Sequence, residues 1–276
     1  MDLMLLVAFL VLGGVVGFAA GLLGIGGGMA LAPILALLFA HQQMPAEVSV
    51  HAAIATSMAT ILFTSVSSLM AHQAKGNVIW PIVFTMAPGL IAGGLLVGGG
   101  LFALINAGWL ALFFAIFVAY NAVRMLTRKP PVAGTGALPG PVGLFAVGAG
   151  IGGLSGMVGA GGAFLSVPFM VKKHVPIHRA IGTSAALGFP IALASCVGYI
   201  YSGWGLATTF PHMVGYIYWP ALLAIVCTSM LTAPMGARLS SRLPVATIKK
   251  IFAFILFLLA ASMAWEAAKA FGLIAR

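Results

Sequence analysis

The chain contains very little charge. Of its 276 residues, 6% are charged and 62% are hydrophobic. Soluble domains usually carry about a quarter of their residues as charges, so this composition excludes a soluble domain anywhere in the chain. Apolar stretches long enough to cross a bilayer, roughly 20 residues each, recur along the whole sequence. The composition therefore predicts an all-α polytopic membrane protein with the lipid bilayer as its environment.

Acidic residues are nearly absent. The three acids are Asp2, Glu47 and Glu266, and none lies in the middle of a predicted spanning segment. Cation-coupled transporters and metal permeases usually rely on carboxylates at that depth, so a cationic substrate is disfavoured. The two cysteines, Cys196 and Cys227, lie in apolar surroundings, which argues against a structural disulfide or a metal site. No cofactor and no metal are predicted.

Basic residues give the chain a net charge of +10, but they form short clusters between apolar segments. Clusters in those places are typical orientation signals and do not indicate nucleic acid as a partner. The N-terminus lacks a basic region and a clear cleavage site, so we interpret it as a retained first helix and not a signal peptide. The predicted partners are the lipid bilayer and a small anionic substrate, and a homo-oligomer is left open.

One glycine-rich phrase occurs twice, at residues 13–33 and 148–168. At a constant offset of 135, its shared positions are Gly13, Gly17, Gly21, Gly24, Gly26, Gly27 and Pro33 in the first copy and Gly148, Gly152, Gly156, Gly159, Gly161, Gly162 and Pro168 in the second. Two further matches follow in the same order: residues 51–57 with 178–184, and Trp80-Pro81 with Trp219-Pro220. This order predicts a duplication, with repeat 1 at 1–123, a linker at 124–141 and repeat 2 at 142–276.

The distribution of Lys and Arg decides how the broken segments cross the membrane. With the linker 124–141 cytoplasmic and each broken segment a single span, six basic residues lie inside and seven outside. If each broken segment is instead a hairpin that returns to its starting side, eleven lie inside and two outside, as the positive-inside rule prefers. We therefore expect two inverted repeats, each a re-entrant hairpin plus three transmembrane helices, with 8–10 helical segments in all.

This arrangement is typical of secondary transporters, whose binding sites lie at broken helices. The expected location is a bacterial inner membrane, with the N-terminus periplasmic. The loop 41–48 should face outside and its counterpart 172–179 the cytoplasm.

The glycine ladders, with small residues at every fourth position, are interpreted as helix packing surfaces.

The glycine turns at 24–28 and 159–162 are the candidate anion site. Consecutive glycines end a helix and free N–H and C=O groups, and a helix that restarts offers N–H groups and partial positive charge to an anion. The alternative is a hinge without a ligand. With the duplicated hydroxyls, the predicted substrate-binding residues are Gly24, Gly26, Gly27, Thr56, Ser57, Gly159, Gly161, Gly162, Thr183 and Ser184.

Hydroxyls on membrane helices also bond back to their own helix, so a purely local use of the Thr-Ser pairs stays open. Ser65, Ser67 and Ser68 have only Ser195 as a counterpart and are weaker candidates. His51, His178 and Arg179 are predicted gating residues or, for the histidines, proton carriers. The alternatives are histidines at a membrane interface and an arginine that only sets orientation.

The chain resembles the sulfite exporter TauE/SafE family, also called the toluene sulfonate uptake permease group. The resemblance rests on GFAAGLLGIGGGMALAP and GGLSGMVGAGGAFLSVP, on the His-x-Ala-Ile-x-Thr-Ser segments, and on GARLSSRLP at 236–244. The segment of the first half that corresponds to GARLSSRLP is GGGLFALINAG, which does not match this motif. The resemblance covers nearly the whole chain. It implies secondary transport of sulfite, sulfonates or related small sulfur-containing anions across the inner membrane.

Two alternatives to transport are an intramembrane serine protease and a membrane scaffold. Gly153-Leu-Ser155-Gly156 matches the Gly-x-Ser-Gly form of intramembrane serine proteases, but a nucleophilic serine needs a base in reach and no later spanning segment contains a histidine. A membrane scaffold that transports nothing is the other alternative. The sequence favours a transporter that is not an enzyme.

Overall fold

The computed structural model describes residues 3–23, 28–127, 137–208, 210–239 and 245–273. Within these ranges the first half contains five helices, and the fourth continues through a π-helical turn at Val97–Leu101 to Leu104. Their bounds are α1 Leu3–Leu23, α2 Gly28–His41, α3 Ala46–Gln73, α4 Trp80–Leu96 and α5 Ala107–Thr127.

The second half repeats this order of long and short helices. Its bounds are α6 Pro141–Val158, α7 Ala163–Lys172, α8 Ile177–Ser202, α9 Trp219–Leu239 and α10 Val245–Ala270. Between α8 and α9 lie a 3-10 helix, Trp204–Thr208, and two short antiparallel strands, β1 Met213–Val214 and β2 Ile217–Tyr218.

Seven helices in the described part of the chain are long and apolar enough to cross a membrane. The helices α2 and α7, of 14 and 10 residues, are shorter. The exposed side chains of the helices are largely apolar, as for Leu37 in α2, Phe84 in α4 and Leu193 in α8, and so extensive an exposed apolar surface indicates contact with lipid. The predicted class, an all-α polytopic membrane protein, is confirmed.

The predicted break in the second phrase is confirmed. Helix α6 ends at Gly159, with φ of 64°, and Gly162, with φ of 73°, precedes the first residue of α7. Both values lie in the left-handed region that glycine adopts without steric cost. In the first phrase α1 ends at Leu23 and α2 begins at Gly28, while Gly24, Gly26 and Gly27 lie outside the described residues.

The connections after the two short helices share one conformation. Gln43 and His174 have φ of 59° and 65°, and the next N–H, of Met44 or Val175, bonds the carbonyl five residues back. A proline then caps each following helix. Thr56 follows its proline by eleven residues and Thr183 follows its own by seven. The four extra residues are about one helical turn, which keeps both threonines on equivalent faces.

The glycine ladders do lie at close helix contacts. Along α1, Gly13, Gly17 and Gly21 meet the backbone of α9 at residues 225, 229 and 233. Along α6, Gly148 and Gly152 meet α4 at residues 86 and 90. In each pair of helices, residues further along one helix contact residues further along the other. Helix α1 is therefore parallel to α9, and α6 is parallel to α4. The first helix of each half therefore packs against the fourth helix of the other half.

Helices α3 and α8 form the antiparallel centre of the molecule. A Cβ built on Gly188, in the middle of α8, would lie 3.2 Å from the Cβ of Ser65 in α3. The start of α8 lies near the connection after α3, where Gly182 packs on Asn77. The end of α8 lies near the start of α3, because the Tyr199 carbonyl accepts the N–H of Tyr216 and Tyr216 stacks on His51. The hydroxyls of Thr56, Ser57, Thr183 and Ser184 are buried between these helices.

Candidate binding cavity

The two glycine breaks touch each other halfway along α3. The Ser57 Oγ donates to the carbonyl oxygen of Gly28, at 2.9 Å, and lies 3.2 Å from the carbonyl oxygen of Gly159. A Cβ on Gly28 would overlap the oxygen of Gly159, and a Cβ on Gly159 would lie 2.8 Å from the oxygen of Ile54. The start of α2 and the end of α6 are therefore in backbone contact, and glycine is what permits it.

The duplicated threonines link the two halves. The Thr56 Oγ1 accepts the N–H of Tyr218 at 3.0 Å, and the Thr183 Oγ1 accepts the N–H of Ile79 at 3.0 Å. Tyr218 and Ile79 each precede a Trp-Pro pair, so each hydroxyl satisfies a free N–H at a helix start, as a capping group does. Each duplicated Thr therefore holds the duplicated Trp-Pro helix start of the other half.

We expect Thr183→Val to lower the free energy of unfolding by about 1–3 kcal/mol, because it leaves the N–H of Ile79 without its acceptor while nearly preserving shape. Thermal unfolding in detergent measures the change. Thr183→Ser keeps the oxygen and should cost less. The effect of Thr56→Val should add to that of Thr183→Val nearly independently, since Thr56 lies near the middle of α3 and Ile79 lies beyond its end, more than about 10 Å away along the helix. Equal stability of the Val and Ser variants would contradict this role.

A cavity lies beside the glycine contact, between α1, α3, α8 and α9. It offers about 30 Å³ to the centres of water-sized molecules, which is room for roughly two to three waters. One face of α3 provides most of its polar wall. The lining residues of α3 are Ile61, Thr64, Ser65, Ser67, Ser68 and Ala71. The other walls are formed by Ala20, Gly21, Gly161, Ala163, Ser184, Ala185, Gly188, Ala233 and Pro234.

The cavity includes only some of the predicted binding residues. Gly161 and Ser184 line it, and the Ser184 Oγ shares a 2.7 Å hydrogen bond with the Ser166 Oγ. Thr56, Ser57 and Thr183 make the backbone bonds given above and are not lining residues, and neither are Gly159 and Gly162.

Ser65, Ser67 and Ser68, the weaker candidates from the sequence, line the cavity together with Thr64, which the sequence analysis does not name. The missed signal is helical period. Hydroxyls at 64, 65 and 68 share one face of a helix, because residues three and four apart are neighbours on its surface. A search for residues shared by the two halves does not detect these hydroxyls, because the second half has no matching set.

Among the described residues, the lining of the cavity extends toward one end of the α3–α8 pair. Its lining on α3 runs from Ile61 to Ala71, about 15 Å of helix. The other end is filled by what we call the aromatic seal: His51, Phe102, Tyr199 and Tyr216. Ring centroids lie 5.2 Å apart for His51 and Tyr216, and 4.4 Å apart for Phe102 and Tyr199.

The predicted gating histidines occupy different environments. His51 is buried in the aromatic seal, with its Nε2 3.0 Å from the carbonyl oxygen of Phe102 and 3.1 Å from that of Ile105. It thus binds the carboxyl end of the long α4 segment. His178 and Arg179 are exposed at the opposite end. His51 follows the proline before α3 by six residues, whereas His178 follows the proline before α8 by two. His51 therefore lies about one helical turn further from the start of its helix than His178 does.

Ser155, the nucleophile of the protease alternative, has a local structural role. It is 2% exposed. Its carbonyl oxygen accepts the N–H groups of Gly159 and Ala160, which close the last turn of α6.

Apolar spanning helices around a small internal cavity, with the start of α2 and the end of α6 in contact beside it, define a polytopic helical membrane protein. The chain belongs to the sulfite exporter TauE/SafE family, whose model matches residues 9–263. The resemblance noted in the sequence is thereby confirmed.

Curated relatives carry matching descriptions. A probable membrane transporter protein of Haemophilus influenzae is 36% identical over 255 residues, 92% of this chain and 96% of the relative. The probable membrane transporter protein YunE of Bacillus subtilis is 26% identical over 94% of this chain and 97% of its own. No solved structure matches the chain significantly. The family and these relatives identify the chain as a membrane transporter.

Proposed function

We propose that this protein is a secondary transporter that moves a small sulfur-containing anion, such as sulfite or an organosulfonate, across the inner membrane. The observation that carries the proposal is the cavity itself. Its polar groups are hydroxyls of Thr64, Ser65, Ser67, Ser68 and Ser184. In this structure the Thr64 and Ser65 hydroxyls donate to carbonyl oxygens of α3 itself, and rotation about the Cα–Cβ bond would let them donate to anionic oxygens instead. Among the described residues no Asp or Glu lines the cavity, so none of these residues places a negative charge in the wall that would repel an anion.

The size and the helix geometry of the cavity also favour a small anion. Room for two to three waters suits an ion of one sulfur and three oxygens, or the head group of a sulfonate. Gly161 and Ala163, at the start of α7, form part of the wall. A helix start carries partial positive charge and free N–H groups, which stabilise an anion. Gly161 and Ser184 are the originally predicted residues that we retain as ligands.

We further infer that the halves are inverted repeats that exchange access between the two sides. The antiparallel α3 and α8 are corresponding helices, and so are the oppositely directed α1 and α6. An odd number of crossings per half gives corresponding elements opposite directions. The cavity reaches one end while the aromatic seal fills the other, as expected of one state in an alternating cycle.

Orientation can be tested with single cysteines. In a Cys227→Ser background, Gln42→Cys and Lys173→Cys should react with a membrane-impermeant maleimide from opposite sides, with Lys173→Cys reacting from the cytoplasm. The buried Cys196 should stay unreactive in intact membranes. Labelling of both positions from the same side would exclude inverted repeats.

The function is tested by flux. Purified protein in lipid vesicles should carry radiolabelled sulfite or a small sulfonate down its gradient, with competition by close analogues and none by cations of similar size. Vesicles without protein set the background. If neither sulfite nor any small sulfonate moves faster than this background, the proposed function is wrong, and a scaffold that transports nothing becomes the better description.

A further inference from the structure

The polar face that lines the cavity continues beyond it as a group of basic side chains. On α3, His72 follows Ser68 by four residues and Ser65 by seven, so it lies on the cavity-lining face. On α8, His178 precedes Ala185 by seven residues, two turns earlier on the same face. Lys75 stands in the turn directly after α3. We call His72, Lys75 and His178 the entry cluster.

These three side chains are neighbours in space. Gly182, one helical turn after His178, packs directly on Asn77, two residues after Lys75, so the start of α8 lies against the turn that follows His72. Lys75 and His178 are accordingly close enough to act electrostatically on His72. The Nδ1 atom of His72 is buried and has no hydrogen-bond partner within the described part of the chain. Buried polar atoms normally have a partner, so this nitrogen is available to a ligand that enters between α3 and α8.

Neutralising carboxylates lie elsewhere. Among the described residues, Glu47 is in the first turn of α3, at the opposite end. Glu266 pairs with Lys269 at 3.2 Å, near the end of α10, where Ala270 approaches Gly108 at the start of α5. That region adjoins the aromatic seal, since α5 follows directly after Ile105. The end of the α3–α8 pair toward which the cavity extends therefore carries positive charge, from Lys75, that no described acid offsets.

We propose that the entry cluster is a capture site for the anion, a separate station at the mouth of the cavity that holds a small oxyanion before it reaches the hydroxyls within. Cationic groups at the mouth of a cleft raise the local concentration of an anion and its rate of entry. With the predicted orientation this end faces the cytoplasm, so capture there is the first step of export. This inference rests on the proposed transport of an anion.

The test compares two neutral variants of the full-length protein at low ionic strength. Lys75→Gln removes one positive charge from the entry cluster. Lys172→Gln removes the same charge at the same end, from the exposed end of α7, and is the matched control. Lys75→Gln should raise the sulfite concentration for half-maximal flux by roughly three- to tenfold, as expected for loss of one nearby charge. The maximal flux should change by less than about twofold, because the cavity ligands remain.

Salt gives a second readout. At high salt the wild type and Lys75→Gln should converge, because screening shortens the reach of the cluster to a few ångströms. Lys172→Gln should follow the wild type at both salt concentrations. Unchanged thermal unfolding of each variant shows that the fold is intact. Equal effects of Lys75→Gln and Lys172→Gln would overturn the inference, since they would reflect only the net charge of this end.

Anionic lipid is the other source of the same oxyanion chemistry. The flux comparison is therefore made in vesicles of phosphatidylcholine alone and in vesicles with added phosphatidylglycerol. A difference between Lys75→Gln and wild type that persists in phosphatidylcholine supports capture of the free anion. A difference that needs phosphatidylglycerol would assign the cluster to lipid and overturn the inference. Absence of wild-type flux would instead refute the proposed function, so the two failures are distinguishable.

Discussion

Replacing Gly28 by valine should prevent the protein from folding. Its first side-chain carbon would overlap the carbonyl oxygen of Gly159 and lie 2.5 Å from the Cδ1 of Ile61. The Ile61 side chain can rotate, but the carbonyl belongs to the last turn of α6 and can move only with that helix. Overpacking of this kind costs about 1–3 kcal/mol when side chains can adjust. Because one of the two clashes is with the backbone, we expect Gly28→Val to lower the free energy of unfolding by about 4 kcal/mol or more. Few single substitutions have an effect this large.

The measurement is the yield of monodisperse protein after detergent extraction, together with thermal unfolding of whatever is recovered. Gly150→Ala is the control, because a Cβ there meets nothing within 4 Å and alanine favours a helix over glycine by about 1 kcal/mol. It should be as stable as the wild type or more so. A well-folded Gly28→Val with wild-type unfolding temperature would show that the two breaks are not in backbone contact.

Replacing Ala185 by leucine should abolish most of the transport while leaving the protein folded. Ala185 lines the cavity and is only half-buried, with open space before it, so three added carbon atoms can extend into the cavity without displacing backbone. They occupy the volume proposed for the anion. A misfit of about 1–3 kcal/mol corresponds to a roughly ten- to hundredfold loss of anion affinity.

The assay is sulfite flux in vesicles at a concentration below half-saturation, with thermal unfolding measured on the same sample. Ala261→Leu, the same change on an exposed position of α10, should transport at the wild-type rate. If Ala185→Leu and Ala261→Leu transport equally well, the anion does not pass through this cavity. A loss of stability in Ala185→Leu alone would leave flux per folded molecule as the quantity to compare.

The two ends of the α3–α8 pair differ in structure, and the connections of the two halves differ at these ends. Between α3 and α4 the chain needs six residues, 74–79, whereas between α8 and α9 it uses sixteen, 203–218. The longer connection contains the two short strands and places Tyr216 against His51. Both halves have a threonine at the corresponding place, Thr56 and Thr183, but among the described residues the strands and Tyr216 occur only in the connection between α8 and α9.

Much of the fold was predictable from local rules. Composition alone identifies a helical membrane protein, because hydrocarbon tolerates few charges and requires backbone groups to be satisfied within helices. The break at Gly159–Gly162 follows from glycine's access to positive φ. The close helix contacts of Gly17 and Gly152 follow from spacing by four, which places small residues on one face.

The site was harder to predict, because repetition of a residue signals a shared role without specifying which one. Thr56 and Thr183 are duplicated, and their duplication agrees with a ligand site as well as with a structural role. In the structure each hydroxyl accepts the N–H at a helix start of the other half. Ser65 and Ser68 are not duplicated, yet they line the cavity. Whether a hydroxyl lines the cavity depends on which helices face each other. Local sequence patterns do not specify that arrangement.

By itself the sequence determined the class of the protein, the existence of two similar halves and the places where helices break, because each depends on local chemistry of the backbone and its solvent. Only the tertiary structure decided that Gly28 meets Gly159, that the hydroxyl face of α3 borders a cavity, and that His72, Lys75 and His178 gather at its mouth. These depend on contacts between segments more than 100 residues apart. Such contacts arise from packing of whole helices, which no short motif specifies.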